Sequence, residues 1–326
     1  MDRIIQHLKG SANILLASHV HPDGDAIGAL LALGLSLSEA GKTTSLYNEN
    51  SVDAYHFLPC IKRITNHWDD SLNYDTAIIL DCGNLERTGK NSSRISRIPV
   101  VINIDHHLTN KGFGNLNMVD PSASSSAEIV YRLIKKAELD INIAVATAIY
   151  TGIFTDTGSF RFANTNSEAF GICEEMVSIG VIPHQIADNI YGAYPLSRLK
   201  LLKMALDSLK ISPNGLLSII TISRDMLDKA DSDSNDTAEL INFAKSIDGI
   251  KVAVLIQEIK NTKQNLKNSK LFHVSLRSNG SVDVANIASS FGGGGHFAAA
   301  GFDVESTVAD LKNYFYKLAE AAPVTN

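Results

Sequence analysis

Short apolar runs alternate with helical patterns in the first half of the chain, which is typical of a parallel sheet with crossover helices. The predicted strands are Asn13–Ser18, Thr43–Tyr47, Thr76–Leu80 and Val100–Ile104. The predicted helices are Ala26–Ala40, which stops at Gly41, then Ser126–Ala137, and a third from Ile143 to about Phe154. The pattern therefore predicts an α/β domain whose parallel sheet has flanking helices.

The pattern changes after Pro195. An amphipathic helix is predicted at Leu196–Leu209, and strands are predicted at Leu216–Ile222, Val252–Gln257 and Phe272–Arg277. We therefore predict a first domain over residues 1–190, a linker helix over residues 191–209, and a smaller α/β domain over residues 210–326.

Polar side chains follow three of the predicted strands directly. His19 comes after the first strand, Asp81 after the third, and Asp105–His107 after the fourth. Two further carboxylates, Asp23 and Asp25, lie on the loop that begins at His19. Because ligands of open α/β sheets bind at the carboxyl ends of strands, we expect these side chains to meet at one site.

Carboxylates and imidazoles in this number favour a divalent metal centre. The predicted ligands are His19, Asp23, Asp25, Asp81, His106 and Asp156. The negative charge of four clustered aspartates needs compensation, which two divalent ions would supply. The donor types suit Mn²⁺, with Mg²⁺, Co²⁺ or Fe²⁺ as substitutes, and the lack of thiolates argues against structural zinc. Such a pair is the usual arrangement for phosphoester hydrolysis by a hydroxide formed between the ions, with Asp81 as the predicted bridge.

Each of these residues also has a simpler explanation when taken alone. Asp23 and Asp25 could cap the helix that follows them, and Asp156 could mark the end of another helix. His21 is equally well explained as a surface loop residue. The simpler explanations do not account for the whole set together, so the metal centre is favoured.

Two features of the second domain suggest an anion-binding site. Four consecutive glycines, Gly292–Gly295, have backbone that can approach a phosphate closely, and His296 adds a side-chain donor. In the strand Phe272–Arg277 the polar residues alternate with apolar ones, so Ser275 and Arg277 share a face. If that face meets the substrate, Arg277 can bind a phosphate. The alternatives are a flexible linker at the glycines and a solvated sheet face at the strand.

Composition narrows the class of protein. The chain has 326 residues, a net charge of −6 and 44% hydrophobic residues. The acidic balance argues against binding to long duplex nucleic acid, and no apolar run is long enough to span a membrane. The polar start and the three scattered cysteines favour the cytoplasm. The oligomeric state stays open, with a homodimer among the states allowed.

The segment Asp105-His106-His107, together with His19-Val20-His21-Pro22-Asp23-Gly24-Asp25, resembles the DHH phosphoesterase superfamily. The segment from Gly292 to Gly301 is similar to its associated DHHA1 domain. Length and domain order match the NrnA-like group of oligoribonucleases and pAp phosphatases. The resemblance implies a DHH catalytic domain with two Mn²⁺ ions, a DHHA1 substrate-binding domain, and an active-site cleft between them.

Carried over by position, the resemblance implies the same six metal ligands. It also places His107 near the substrate phosphate and gives Asp105 the role of orienting a histidine. The implied catalytic residues are thus Asp81, Asp105, His106 and His107. The implied substrate contacts are His107, Ser275, Arg277, Gly293, Gly294, Gly295 and His296. Family members often carry a basic residue where this chain has Phe297-Ala298, so one phosphate contact is expected to be missing.

The implied activity is Mn²⁺-dependent hydrolysis of short oligoribonucleotides (nanoRNA) to mononucleotides and of 3′-phosphoadenosine 5′-phosphate (pAp) to AMP. One alternative is hydrolysis of linear or cyclic dinucleotides such as pApA or c-di-AMP. Another is a manganese inorganic pyrophosphatase, which the motif ending in His296 disfavours. A nucleotide-binding sensor without catalysis is a third alternative, disfavoured by the intact ligand set.

Overall fold

The computed structural model describes residues 1–192, 195–232, 237, 239–259 and 270–321. The chain divides into two compact units, Met1–Ala193 and Tyr194–Asn326. Every helix in the described ranges falls short of the length or the apolar character that a bilayer crossing would require.

The first unit contains a six-stranded sheet in which every pair of neighbours is parallel. Its strands are β1 (Asn13–Ala17), β2 (Thr43–Tyr47), β3 (Ile64–Thr65), β4 (Thr76–Leu80), β5 (Val100–Asp105) and β6 (Leu116–Val119). The order β3-β2-β1-β4-β5-β6 changes direction between β1 and β4. Such a switch point opens a crevice at the carboxyl ends of the two strands, which is where this class of sheet binds its ligands.

Apolar side chains are buried on both faces of this sheet, and the four predicted strands are confirmed. The helices are α1 (Asp2–Gly10), α2 (Gly24–Glu39), α3 (Ser92–Ile95), α4 (Ser126–Lys136), α5 (Ile143–Asp156), α6 (Ser167–Ile179) and α7 (Pro183–Tyr191), with short 3₁₀ helices at Asp53–Tyr55, Ile61–Arg63 and Leu85–Thr88. In β1, Ile14 and Leu16 belong to one apolar cluster, whereas Leu15 and Ala17 belong to another. Burial on both faces explains why the strands are continuously apolar.

The central helix of the unit, α2, is buried along most of its length, from Gly24 to Leu37. Glycines allow α5 to approach it closely: a Cβ on Gly28 would lie 2.5 Å from the Ala148 carbonyl oxygen. The helix begins at Gly24, two residues before its predicted start, because the Asp23 side chain accepts hydrogen bonds from the N–H groups of Asp25 and Ala26.

The second unit has a mixed six-stranded sheet in the order β11-β12-β10-β9-β8-β7, where only β8 and β9 are parallel. Its elements are α8 (Leu196–Asp207), β7 (Lys210–Ile211), β8 (Leu217–Ile222), α9 (Arg224–Ala230), α10 (Leu240–Lys245), β9 (Val252–Glu258), β10 (Lys270–Ser278), α11 (Val284–Ser289), β11 (Gly294–His296), β12 (Ala299–Ser306) and α12 (Val308–Ala321). The predicted helix and three strands are present. The pattern did not predict β7, α11, β11, β12 or α12.

Candidate metal centre

The side chains of the candidate metal centre come from the switch-point end of the first sheet. His19 lies two residues after the end of β1, Asp81 follows β4 directly, and His106 follows β5 directly. Asp25 lies in the first turn of α2, and Asp156 is the last residue of α5. The parallel topology therefore brings together residues that are up to 137 positions apart in sequence, taking Asp156 and His19 as the extremes.

One group of potential ligands consists of His19, Asp23 and Asp81, which offer ligand atoms within 4.8 Å of one another. The Nε2 atom of His19 lies 3.4 Å from Asp81 Oδ2. The Nδ1 atom of His19 lies 2.8 Å from the Val20 carbonyl oxygen, so the Nδ1–H donates to it. That hydrogen bond fixes the ring and directs the other ring nitrogen, Nε2, toward Asp81, as histidine ligands require.

A second group consists of Asp25, His106 and Asp156, which satisfy the same 4.8 Å criterion. His106 Nε2 lies 3.5 Å from Asp156 Oδ2. Its Nδ1 faces the Ala123 carbonyl oxygen at 3.4 Å. All six residues predicted as metal ligands therefore belong to one or other of these groups.

Asp81 contacts both groups. Its Oδ2 faces His19, and its Oδ1 lies 3.7 Å from His106 Nε2. The residue is 2% exposed and adopts a left-handed backbone conformation with φ of 52°. This conformation is uncommon for a residue with a side chain, and aspartate is among the few that tolerate it. The turn places the carboxylate between the histidines that follow β1 and β5.

A buried chain of polar groups holds His107 beside Asp81. Its Nδ1 donates to Asp105 Oδ1 at 2.6 Å and lies 3.6 Å from Asp81 Oδ1. The Asn110 amide donates to the other oxygen of Asp105 at 2.5 Å. Burial alone would lower the pKa of His107, but the Asp105 hydrogen bond and the charge on Asp81 raise it to about 9. His107 is therefore protonated at neutral pH.

Burial raises the pKa values of Asp25 and Asp156 well above the ordinary range. Neighbouring carboxylates raise them further: Asp81 acts on both, and Asp23 acts on Asp156. Ionising these two side chains without a counter-ion is therefore costly, because like charges would be held together away from water.

Asp81 and His19 have the opposite electrostatics. Burial would raise the pKa of Asp81, yet the hydrogen bond from His19 and the charges on His107 and His19 lower it below its usual range. Burial would lower the pKa of His19, but the contact with Asp81 raises it. The protonated form of His19 and the ionised form of Asp81 therefore stabilise each other.

The residues present fit divalent metal ions. Two groups of three donors converge, and both histidines have one ring nitrogen occupied by a carbonyl oxygen. Burial and neighbouring negative charge oppose the ionised forms of Asp25 and Asp156. The donors are oxygen and imidazole nitrogen, and the buried Cys82 is not among them. Burial raises the pKa of Cys82 to about 12, so it stays a thiol.

Comparison with known proteins identifies the family. The DHH family N-terminal domain matches residues 13–153, and the DHHA1 domain matches residues 217–322. The bifunctional oligoribonuclease and PAP phosphatase NrnA of Thermus thermophilus is 34% identical, over 94% of this chain and 88% of that protein. The chain belongs to the DHH phosphoesterase family. It is therefore a hydrolase that acts on phosphoester bonds.

Two further relatives match this chain over most of its length. The NrnA protein of Bacillus subtilis is 27% identical over 90% of each chain. The crystal structure of an exopolyphosphatase-related protein from Bacteroides fragilis superposes with a TM-score of 0.88, at 28% identity, covering 98% of this chain and 95% of that one. The DHH family is metal-dependent, which agrees with the donor groups found here.

In the DHHA1 domain, the strand β10 carries Ser275 and Arg277 on its partly exposed face, while Phe272, Val274 and Leu276 are buried on the other. The alternation predicted from the sequence is confirmed. Burial lowers the pKa of Arg277, and its Nη1 donates to the Leu276 carbonyl oxygen at 3.0 Å. Among the described residues, no carboxylate forms an ion pair with this guanidinium.

The glycine segment of the DHHA1 domain packs against β12. Gly294–His296 forms the edge strand β11, with Gly294 opposite Gly301 and His296 opposite Ala299. A Cβ on Gly293 would lie 2.2 Å from the Gly301 carbonyl oxygen, so only glycine fits there. Close backbone packing therefore accounts for part of the glycine content, independently of any bound anion.

Three residues that contact carboxylates of the candidate site were missed by the sequence analysis. The hydroxyl of Ser126 lies 3.0 Å from Asp81 Oδ1, and the amide of Asn164 donates to Asp156 Oδ2 at 3.2 Å. Asn110 contacts Asp105, as described above. The pattern Ser125-x-x-Glu128 predicts the start of a helix, but it does not indicate which strand end that helix faces.

Proposed function

We propose that this protein is a Mn²⁺-dependent phosphoesterase that hydrolyses short oligoribonucleotides to mononucleotides and pAp to AMP. The single observation that carries the metal-dependent part is the position of Asp81, whose two oxygens face histidines of two separate donor groups. The substrate part is supported by the 34% identical relative, whose name describes both activities.

In this proposal the ligands of one ion are His19, Asp23 and Asp81, and those of the other are Asp25, His106, Asp156 and the shared Asp81. Divalent ions bound there supply positive charge that polarises a phosphoryl group and lowers the pKa of water. The protein contributes the fixed donors, most of which are buried, and charge interactions are strong where water is excluded.

His107 is proposed to bind and stabilise the reacting phosphate. Its protonated ring donates to Asp105 through Nδ1, so Nε2 is the nitrogen that would donate to a phosphate oxygen. A cationic donor of this kind stabilises the negative charge that develops on the oxygens of the phosphoryl group. Asp105 orients the ring and keeps it protonated.

We further propose that the DHHA1 domain binds a second phosphate of the substrate through Ser275, Arg277, Gly293, Gly294, Gly295 and His296. Arg277 carries the argument, because it is a guanidinium with no carboxylate partner among the described residues. Arginine matches the geometry of a phosphate through two parallel hydrogen bonds.

The test is a comparison of rates on one substrate panel. Metal-stripped protein is supplied with Mn²⁺ and assayed on five-nucleotide RNA, pAp, pApA, c-di-AMP and inorganic pyrophosphate. We expect turnover of the RNA and of pAp, and loss of both in Asp81→Asn. The exposed Asp53→Asn is the matched control and retains activity, because Asp53 lies in a 3₁₀ helix outside both donor groups.

Other results of this assay would support a different function. Fastest turnover of pyrophosphate, or of a dinucleotide, would replace the proposed substrates. Tight binding of pAp without turnover under any divalent metal would contradict catalysis and favour a nucleotide sensor.

A further inference from the structure

The first turn of α4 contacts two of the proposed metal ligands. The backbone N–H of Ser126 donates to Asp25 Oδ2 at 2.6 Å, and that of Ala127 donates to Asp25 Oδ1 at 2.8 Å. The side chain of Ser126 reaches a different carboxylate, with its Oγ 3.0 Å from Asp81 Oδ1. A single residue thus contacts a carboxylate of one donor group and the carboxylate shared by both.

The direction of the Ser126 hydrogen bond follows from chemistry. An ionised carboxylate only accepts hydrogen bonds, so the Ser126 hydroxyl donates to Asp81. The hydroxyl is not needed to cap α4, because the side chain of Ser125 already accepts from the Glu128 N–H at 3.1 Å. Ser126 is fully buried, where a hydroxyl requires a partner, and Asp81 is the partner the structure gives it.

The turn that carries Ser126 is held rigidly by its neighbours. The buried carboxylate of Glu128 accepts from the backbone N–H of Ser124 at 3.0 Å and from its hydroxyl at 2.5 Å. Arg132 forms an ion pair with the same carboxylate. The amide of Asn164 donates to the Ser124 carbonyl oxygen at 2.8 Å, which ties this turn to the segment after Asp156.

We propose that Ser126 is a positioning residue for the metal centre. Its hydroxyl holds the Asp81 carboxylate in the orientation in which each oxygen faces one donor group, and its N–H holds Asp25. The inference rests on the proposed metal-dependent function. Without the hydroxyl, the Asp81 carboxylate can rotate away from this orientation, and the affinity for metal would fall while the substrate-binding residues are unchanged.

The experiment compares wild type, Ser126→Ala and Ser125→Ala. Mn²⁺ affinity is measured by calorimetry on metal-stripped protein, and circular dichroism checks the fold. For Ser126→Ala we expect Mn²⁺ binding to weaken by about tenfold or more, the usual effect of removing a hydrogen bond to a metal ligand. At saturating Mn²⁺ its kcat should recover toward wild type, with the KM for pAp unchanged. Ser125→Ala, which removes only the helix cap, should lower the melting temperature and leave Mn²⁺ affinity unchanged.

Two results would overturn the inference. One is a folded Ser126→Ala protein whose Mn²⁺ dissociation constant lies within twofold of the wild-type value. The other is an equal loss of affinity in Ser125→Ala, which would assign the effect to the helix start instead of the hydroxyl. Failure of the proposed function has a separate signature, since the wild-type protein itself would then bind no Mn²⁺ or would turn over neither pAp nor short RNA.

Discussion

The two units use a six-stranded sheet in different ways. In the first, the polar residues lie at the carboxyl ends of parallel strands, and they are mostly buried carboxylates and histidines. In the second, Ser275 and Arg277 lie on one face of the antiparallel strand β10. The first arrangement concentrates donors on one point, whereas the second distributes them along a surface.

The sign of the charge that burial opposes also differs between the two units. Asp25 and Asp156 are carboxylates whose ionisation is opposed by burial and by neighbouring negative charge. Arg277 is a cation whose charged form is opposed by burial. Each unit therefore lacks the charge that its proposed ligand carries: metal ions for the first and phosphate for the second. The experiments below test this division.

The largest effect is expected from Asp81→Asn. Both donor groups lose their shared carboxylate, and we expect kcat to fall by on the order of 10³-fold on every substrate. Steady-state rates on pAp and on five-nucleotide RNA measure it. A loss of activity on one substrate alone would show that Asp81 acts in substrate recognition. It would contradict the assignment of metal binding to the first unit and phosphate binding to the second.

A smaller effect on turnover is expected from Arg277→Ala. The variant lacks a phosphate contact in the second unit, so KM should rise by about tenfold or more while kcat changes little. Preference for short over long RNA should weaken as well. His296→Ala should behave in the same way if both residues bind one phosphate. A near-normal kcat/KM for Arg277→Ala on both substrates would contradict phosphate binding by β10.

Asp156→Asn should separate stability from function. Without metal, the variant relieves a partly buried like-charge contact, so its melting temperature in EDTA should rise by about 2–4 °C, equivalent to roughly 1 kcal/mol. The stabilisation that Mn²⁺ gives the wild type should shrink in the variant. Asp53→Asn is the control. A lower melting temperature in EDTA would show that Asp156 is stabilising by itself.

The smallest effect is expected on stability, from a substitution of Asp75 at the opposite end of the first sheet. Asp75 is partly buried and accepts from the N–H groups of Ala12 and Asn13 at 2.7 and 2.9 Å. Burial would raise its pKa, but these hydrogen bonds lower it. The contribution to stability is therefore present above the unfolded pKa of about 3.9 and is lost as pH falls below it.

Asp75→Asn should accordingly cost about 1 kcal/mol in the free energy of unfolding at pH 7, and less near pH 3. Urea unfolding at the two pH values measures the difference. Unchanged activity is expected, because Asp75 lies at the amino end of β4 and Asp81 at its carboxyl end. A cost that grows as pH falls would contradict the sign.

The fold of the first unit could be predicted because its strands are buried on both faces and read as continuous apolar runs. The short strands β3 and β6 could not, since two to four residues carry too little periodicity. In the second unit β12 was missed because Ala299–Gly301 lacks the bulky residues typical of strands. The segment beginning at Gly292 was interpreted as an anion-binding loop, and its anion remains a prediction.

The candidate site could be predicted as a set of residue types but not as a geometry. The sequence indicates that polar residues follow the strands. It does not show that β1 and β4 are neighbours, which only the strand order in the structure gives. The capping alternative is confirmed for Asp23, whereas Asp25 instead accepts hydrogen bonds from α4. The contacts of Ser126 and Asn164 depend on packing between helices distant in sequence, which no local pattern records.

The central claim is that six side chains of the first unit bind two metal ions through a shared Asp81. Equilibrium dialysis of metal-stripped protein against Mn²⁺, followed by elemental analysis, counts the ions directly. The account predicts two Mn²⁺ per chain in the wild type and at most one in Asp81→Asn. A wild-type protein that retains one ion or none at saturating Mn²⁺ would contradict it.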